Sequence, residues 1–421
     1  GGSEAIGQTG EVAVKVTAPG GELSSLTVKL VQGETATALF ELTPETTAGV
    51  TTVGDEVTVT VPAGKRALPD LKAGEARIDV TAVRPVLFGM HEATATETRT
   101  IQVRLTPPQV AVLSQFHYVN HGGSEMVVYR VSPPDADSGV RVGTIEYRGF
   151  PASASDAGMR IAFFALLWDQ DLNTPITVYA RDSIGNEGSG SFDFRVFPKQ
   201  FRKSTINLDD RFLARVVPPI LQNSTELKVD DPSNFLASYL AINRELRRMN
   251  NETITKLALE TSPEILWRGP FKQLINTAVE AGFADQRTYV YNGADVDHQV
   301  HLGFDLASTA NAPVRAANRG RVVHAGWLGI YGNCVILDHG MGLQSLYAHL
   351  SSVGVGVGQI VETEAELGRS GATGLAGGDH LHFTMLLGGN AITPIDWWSS
   401  QWVQDRILRK FADAGLTPPS P

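Results

Sequence analysis

Period-2 alternation of apolar residues is the strongest constraint on how this chain can fold. Val12, Val14 and Val16 alternate with polar neighbours, as do Val57, Val59 and Val61, and again Ile101, Val103 and Leu105. Successive side chains of a strand point to opposite faces, so each run buries one face and wets the other. Thr, Gly and Pro separate the runs. Several short strands at this spacing predict a mainly β chain that opens with a β-sandwich over 1–106. Thr106-Pro107-Pro108 reads as a linker, because proline cannot donate to a ladder. A second β-rich block is expected over 107–198, closing with strands at 176–180 and 192–196 and a turn at 182–186.

The segment Ala180-Arg181-Asp182-Ser183-Ile184-Gly185-Asn186 resembles the end of bacterial immunoglobulin-like modules. That resemblance implies two immunoglobulin-like β-sandwich domains, at 1–106 and 107–198. Residues 199–287 change character and read as a partly helical connector. Asp231-Pro232 is expected to start a helix, with Asp as cap and Pro at the first helical position. Phe235, Leu236, Tyr239, Leu240 and Leu246 then form an apolar face that needs a packing partner, while Arg244, Arg247 and Arg248 lie elsewhere. A second helix is expected from Pro263 or Phe271 to about Ala281. The region 288–400 is rich in Gly and strand patterns, such as 321–327 and 334–338. Residues 401–421 read as a C-terminal helix, over 401–412, and tail.

A chain of 421 residues is too long for one core, and two to four domains are expected at roughly 100–200 residues each. The formal charge is −10 and no basic stripe stands out, which argues against nucleic acid as a partner. The longest strongly apolar run, Ile161 to Trp168, is far too short to span a bilayer as a helix, and no transmembrane segment is expected. No signal peptide is visible. Gly1-Gly2-Ser3 reads like a trimmed start, which is compatible with export.

Cys334 stands alone, so any metal must be held by His, Asp or Glu. The ten histidines are unevenly placed: His91, His117 and His121 precede residue 298, and the other seven fall between His298 and His382. Three pieces stand out among them: His301-Leu302-Gly303-Phe304-Asp305, Tyr347-Ala348-His349-Leu350 and Gly378-Asp379-His380-Leu381-His382-Phe383. Catalytic zinc takes three N or O ligands and keeps one position open. On a strand, His380 and His382 share a face, so one can bind metal while the other stands beside it.

In this order the three pieces resemble the lysostaphin/LytM-like family of zinc metallopeptidases. Gly320-Arg321-Val322-Val323, Gly332-Asn333, Asp338-His339-Gly340 and Gly368 to Gly374 strengthen the likeness, which covers roughly 288–398. It implies a C-terminal antiparallel-β LytM-like peptidase domain at 288–400. By resemblance His301, Asp305 and His382 are ligands of one Zn2+, and His349 and His380 are the catalytic pair. It further implies hydrolysis of peptide cross-links in bacterial peptidoglycan, and hence a cell-envelope location, periplasmic or secreted. A D-alanine-to-diaminopimelate bond is the first choice and a glycine bridge the second. Zinc would polarise the scissile carbonyl and acidify water, the histidine pair would move protons, and Tyr289 or Tyr291 would donate to the oxyanion. The alternatives are a catalytically silent LytM-like regulator of other wall hydrolases, or a wall-binding adhesin-like protein.

Thr384 departs from the family pattern, where an acidic residue is common, and Cys334 replaces a small residue such as Thr. His298, His324 and His339 are read as structural, with His339 in a turn after a strand. Cys334 is read as core, Trp397-Trp398 as packing, and 371–378 as a flexible groove rim. Because a free wall hydrolase endangers its own cell, intramolecular inhibition from the preceding region is expected. The stretches 221–231 and 250–252 supply the candidate groups, and a chain beginning near Pro263 is expected to cleave faster.

Overall fold

Strand alternation organises the N-terminal part as the pattern suggests. The computed structural model describes residues 5–19, 22–43, 49–86 and 90–418, and Gly1-Gly2-Ser3 lies outside them. The chain divides into two compact units, one of 1–110 with 131–138 and 179–189, the other of 111–130 with 139–178 and 190–421. In the first, a five-stranded sheet runs in the order Ala5–Ile6, His91–Val103, Gly74–Val86, Ser25–Gln32 and Thr35–Glu41. A three-stranded sheet of Glu11–Thr17, Glu56–Pro62 and Val50–Val53 accompanies it. Val57, Val59 and Val61 are all buried, whereas of Val12, Val14 and Val16 only Val14 is.

In the second unit, residues 124–130 pair antiparallel with Met159–Ala165. The strand expected at 192–196 forms at Phe194–Phe197, and Phe192 instead packs edge-on against His117, with ring centroids 4.6 Å apart.

The connector starts with a strand, Lys203–Leu208, paired parallel to Asp285–Tyr291. Helix α1 (Asp210–Asn223) comes next, an element that the sequence pattern does not reveal. Asp209 caps it by accepting from Phe212 N at 2.7 Å, and Pro218-Pro219, which look like breakers, lie inside it. Helix α2 (Phe235–Ala241) begins later than expected because Asn234, not Asp231, is its cap. The Asn234 side chain accepts from Ala237 N, while Asp231 accepts from Ser233. A π-turn, Ile242–Leu246, leads into helix α3 (Arg247–Ala258).

The second helix expected from Pro263 or Phe271 to Ala281 does not form. Pro263, Pro270 and Gly269, whose φ is +58°, interrupt helical geometry. The extended segment ties itself to other elements: Leu266 N donates to His339 O, Phe271 N to Trp397 O and Lys272 N to Ala317 O. Trp267 and Phe271 are buried, and 278–281 is a strand, Ala278–Ala281, paired with Phe304–Ala307.

The C-terminal sheet has seven strands in one path and is antiparallel throughout. Its order is Ala278–Ala281, Phe304–Ala307, Leu381–Leu387, Leu343–Leu350, Asn333–Gly340, Gly320–Trp327 and Ile360–Val361, with Asn390–Ile392 beside Leu381–Leu387. Its central strands are buried on both faces and carry buried polar groups, among them Asp338, His339, Gln344 and Ser345. Ile254 of α3 packs on one face with Cys334, Ile336, Leu346 and Leu386. His339 lies within Asn333–Gly340, not in a turn. Its ring is fully enclosed: Nδ1 donates to Arg319 O and Nε2 accepts from the Ser345 hydroxyl at 2.7 Å. Burial pushes this ring down to about 4. Trp397 is buried, and Trp398 packs against Phe304 and Phe383. The chain is helical from Ser400 to Asp413.

Candidate active site

Sheet register gathers the motif residues. Asp305 and His382 lie directly opposite one another on adjacent antiparallel strands, and His382 is opposite Ala348 on its other side. His301 ends the strand Ala294–His301, four residues before Asp305. His380 precedes His382 by two and shares its face. Strict alternation would turn His349 to the opposite face from Ala348. His349 instead adopts φ +63°, which brings its ring within 4.9 Å of His380 and 5.6 Å of His382, centroid to centroid. A left-handed non-glycine residue at such a place stores strain of roughly 1–3 kcal/mol.

Three atoms converge. His301 Nε2 is 2.9 Å from Asp305 Oδ1 and 3.0 Å from His382 Nδ1, and the last two are 3.0 Å apart. The opposite edge of each ring is held. His301 Nδ1 donates to Gly282 O at 3.1 Å. Thr384 donates its hydroxyl proton to Leu302 O at 2.8 Å and so accepts from His382 Nε2 at 3.0 Å. Two ring lone pairs and a carboxylate oxygen therefore face one point, an arrangement that repels itself unless a cation or proton is shared. Bonds of about 2.0–2.1 Å to a tetrahedral zinc place N and O ligands roughly 3.3 Å apart, close to what is seen, and the donor set fits that ion. Among the described residues this is the one His/Cys/Asp/Glu group gathered closely enough to hold a metal. Gly303 makes the approach of strands possible, since a Cβ there would lie 2.5 Å from Thr384 Oγ1 and 2.6 Å from His382 Nε2.

The flanking pair is held in the same way. His349 Nδ1 donates to Thr373 O at 2.8 Å and His380 Nδ1 to Gly378 O at 2.9 Å, so both rings turn Nε2 inward. Burial, and then the neighbouring His380 and His382, hold His349 well below the ordinary histidine range. For Asp305, burial is outweighed by hydrogen bonds with His301, His380 and His382, and the carboxyl is held far below its usual range. For His380, burial is outweighed by Asp305, and the ring is raised.

These groups open on a cleft of about 370 Å³. Its other lining includes elements the motifs do not mark: Phe212 of α1, Tyr239 of α2, Arg247 of α3, Glu280 of the strand Ala278–Ala281, Arg287 and Tyr289 of the strand Asp285–Tyr291, Ile330 and Tyr331 of the 3-10 turn Gly329–Tyr331, and Leu375. Arg287 bonds to Asp305 Oδ2 at 3.3 Å. Strand periodicity carried the signal for Arg287, because Asp285, Arg287 and Tyr289 fall two apart. A register shift after Tyr289 then diverts Tyr291, whose hydroxyl donates to Asp210 Oδ1 at 2.6 Å. Of the two candidate tyrosines, Tyr289 lines the cleft and Tyr291 does not.

The rim at 371–378 is tied down at several points. Thr373 Oγ1 accepts from Asn333 N, Leu375 N donates to Ile330 O, and Arg215 of α1 donates to Ala376 O and Gly377 O. Neither 221–231 nor 250–252 lines the cleft. Asn250 is buried and its Oδ1 accepts from Ile330 N at 2.9 Å. His298 and His324 also lie outside the lining.

Residues 299–394 carry a peptidase family M23 domain, a family of zinc metallopeptidases. The chain is 36% identical over 97 residues to the DD-carboxypeptidase/endopeptidase Mpg of Neisseria meningitidis, across 23% of this chain and 22% of that protein. It is 31% identical over 109 residues to the peptidoglycan DD-endopeptidase ShyB of Vibrio cholerae, across 26% of this chain and 25% of that protein. It is 34% identical over 95 residues to the murein hydrolase activator EnvC of Escherichia coli, across 23% of each. The match thus spans about a quarter or less of the length of these relatives.

Proposed function

We propose that this protein is a zinc-dependent endopeptidase that hydrolyses peptide cross-links of bacterial peptidoglycan, with one Zn2+ per chain on His301, Asp305 and His382. The convergence of His301 Nε2, Asp305 Oδ1 and His382 Nδ1 beside two further inward-facing imidazoles carries this reading. Zinc held there would supply Lewis-acid activation of a water and of the scissile carbonyl. His349 and His380 share the proton transfers: one Nε2 takes a proton from the attacking water, the other serves the oxyanion or the departing amine. Fixing each Nδ1 on a backbone carbonyl keeps both rings in the required tautomer. Tyr289 is the cleft phenol we assign to the oxyanion. Arg287 holds the free oxygen of Asp305 and so orients a ligand.

The site of action in this reading is the cell envelope, periplasmic or secreted. The all-strand content before residue 199 supports the reading of two immunoglobulin-like domains, at 1–106 and 107–198, ahead of the connector and the peptidase domain at 288–400. Among the described residues no helix is long and apolar enough to cross a membrane. The likeness to EnvC keeps a second reading alive, that of a silent regulator of other wall hydrolases. The deciding experiment incubates the zinc-loaded full chain with purified peptidoglycan and identifies the products by mass. New amino termini support the endopeptidase. Intact cross-links with stoichiometric zinc support the regulator.

A further inference from the structure

Two guanidinium groups line the metal cleft together with the Glu280 carboxylate, and of the two only Arg287 is held in an ion pair. Arg287 is flanked by Asp285 at 3.4 Å and Asp305 at 3.3 Å. Arg247 pairs with no carboxylate among the described residues, and its contacts are with neutral oxygens. Its Nε donates to Asn243 O at 3.0 Å and an Nη to Asn243 Oδ1 at 2.5 Å. Asn243 is fully buried and donates in turn to Asp297 Oδ2 at 2.8 Å, and Asp297 also receives Arg244. The guanidinium is thus braced through a buried amide to a buried carboxylate on the strand Ala294–His301, the strand that ends in His301.

The local backbone has a cause for this aim. Arg247 is the first residue after the π-turn Ile242–Leu246, and such turns rotate the next helical residues relative to a regular helix and recur at functional sites. A half-buried, preorganised cation with no direct carboxylate partner beside a metal cleft costs desolvation that neutral acceptors offset only in part. The placement is explained if a ligand brings the anion. Tyr331 lines the same cleft as Arg247 and ties it to the reacting centre, its ring lying 5.8 Å from that of His382.

We propose that Arg247 anchors a carboxylate of the substrate peptide and thereby selects cross-links with a free carboxylate next to the scissile amide. A D-alanyl-diaminopimelate link has that group, on the carbon bearing the acceptor nitrogen. A glycine bridge lacks it. This rests on the peptidase reading and extends it to substrate class. An Arg–carboxylate contact in a sheltered site is a charge-assisted, bidentate interaction, and a site built around it rejects an analogue lacking the charge.

The test uses zinc-loaded full chain and two synthetic cross-linked peptides, one with the free diaminopimelate carboxylate and one with it amidated. Binding is measured by calorimetry and cleavage as kcat/KM. The wild type is expected to favour the free acid by about 10- to 100-fold in both readouts. Arg247→Gln is expected to lose that preference by weakening only on the acid, with zinc content and melting temperature retained. Arg247→Lys is expected to restore part of it. Equal use of both peptides by the wild type overturns the proposal, as does an equal fall on both peptides in Arg247→Gln, or binding of neither. Arg247-dependent binding of the acid without cleavage upholds it while refuting the peptidase reading.

Discussion

The two walls of the cleft were built by different rules. One wall is three neighbouring strands of the C-terminal sheet together with His301 at the end of a strand of the adjoining three-stranded sheet, and its groups meet through covalent spacing and register. His301 and Asp305 are four apart, His380 and His382 two apart, and Asp305 faces His382 across one ladder step. The other wall is the connector. Phe212, Tyr239 and Arg247 arrive through helix packing, in a core where Leu213, Val216, Ile220, Tyr239 and Leu246 meet Tyr289 and Ile330. Chemistry constrains the first wall atom by atom, whereas the second has to satisfy only volume, shape and one charge. Damage should therefore fall off steeply from the first wall to the second.

The largest effect belongs to the ligands. Asp305→Ala or His382→Ala should take zinc from about one per chain to almost none and abolish wall hydrolysis, as read by elemental analysis and product mass on the same samples. Full occupancy in both variants would break the ligand assignment and with it the contrast. The histidine pair comes next. His349→Ala and His380→Ala should keep their zinc yet lose about 10²–10⁴-fold in rate. A His349→Ala protein that cleaves at the wild-type rate removes that residue from the mechanism.

The connector wall is tested by deletion. The residues that pack it, and Arg215 on the rim, point to a wall and not a plug, so a chain beginning near Pro263 should hold zinc but cleave more slowly, by up to about 10²-fold from misplacement of substrate. The sequence-based expectation is the opposite, faster cleavage, although its candidate stretches 221–231 and 250–252 do not line the cleft. Faster cleavage per bound zinc would reinstate latency. A smaller effect is expected within the metal wall at Thr384, the sequence's departure from the family pattern. Thr384→Val removes the acceptor of His382 Nε2, and zinc affinity should fall by about 10–100-fold in chelator competition. Unchanged affinity would mean that the strand alone orients His382.

Legibility in the sequence divides along the same two walls. All five motif residues are together as their order suggested: His380 and His382 by sharing a strand face, Asp305 by register opposite His382, and His349 through its positive φ. Trp397 and Cys334 are core, as volume and hydrophobicity imply. Helix α1 was hidden by Pro218-Pro219, tolerated where packing on Leu208 and Tyr289 outweighs two lost donors. The helix expected near Pro263 was an apolar pattern without helical bonding, since Trp267 and Phe271 fill space between other elements. Arg247 had no motif. Its meaning comes from Asn243 and Asp297, the latter fifty residues further on.

The smallest effect sharpens the comparison from inside the motif wall, at the one catalytic position where motif and backbone conflict. His349 sits at φ +63°, a conformation that glycine adopts freely and alanine does not. The site needs an imidazole there, so function and stability pull in opposite directions. Both His349→Gly and His349→Ala lose the ring and should be equally inactive. They should differ in stability, because only glycine relieves the left-handed strain. Urea unfolding should place the glycine variant about 1 kcal/mol above the alanine variant. The ring's bond to Thr373 O is absent from both and cancels in the comparison. An alanine variant as stable as the glycine one would show that the strand bulge, which shifts register between Asn333 and Val335 opposite this residue, absorbs the turn without strain. The positioning of His349 would then be a property of the sheet alone. A difference of the expected sign means that the sheet holds this histidine against its own backbone preference, which no connector residue in the cleft requires.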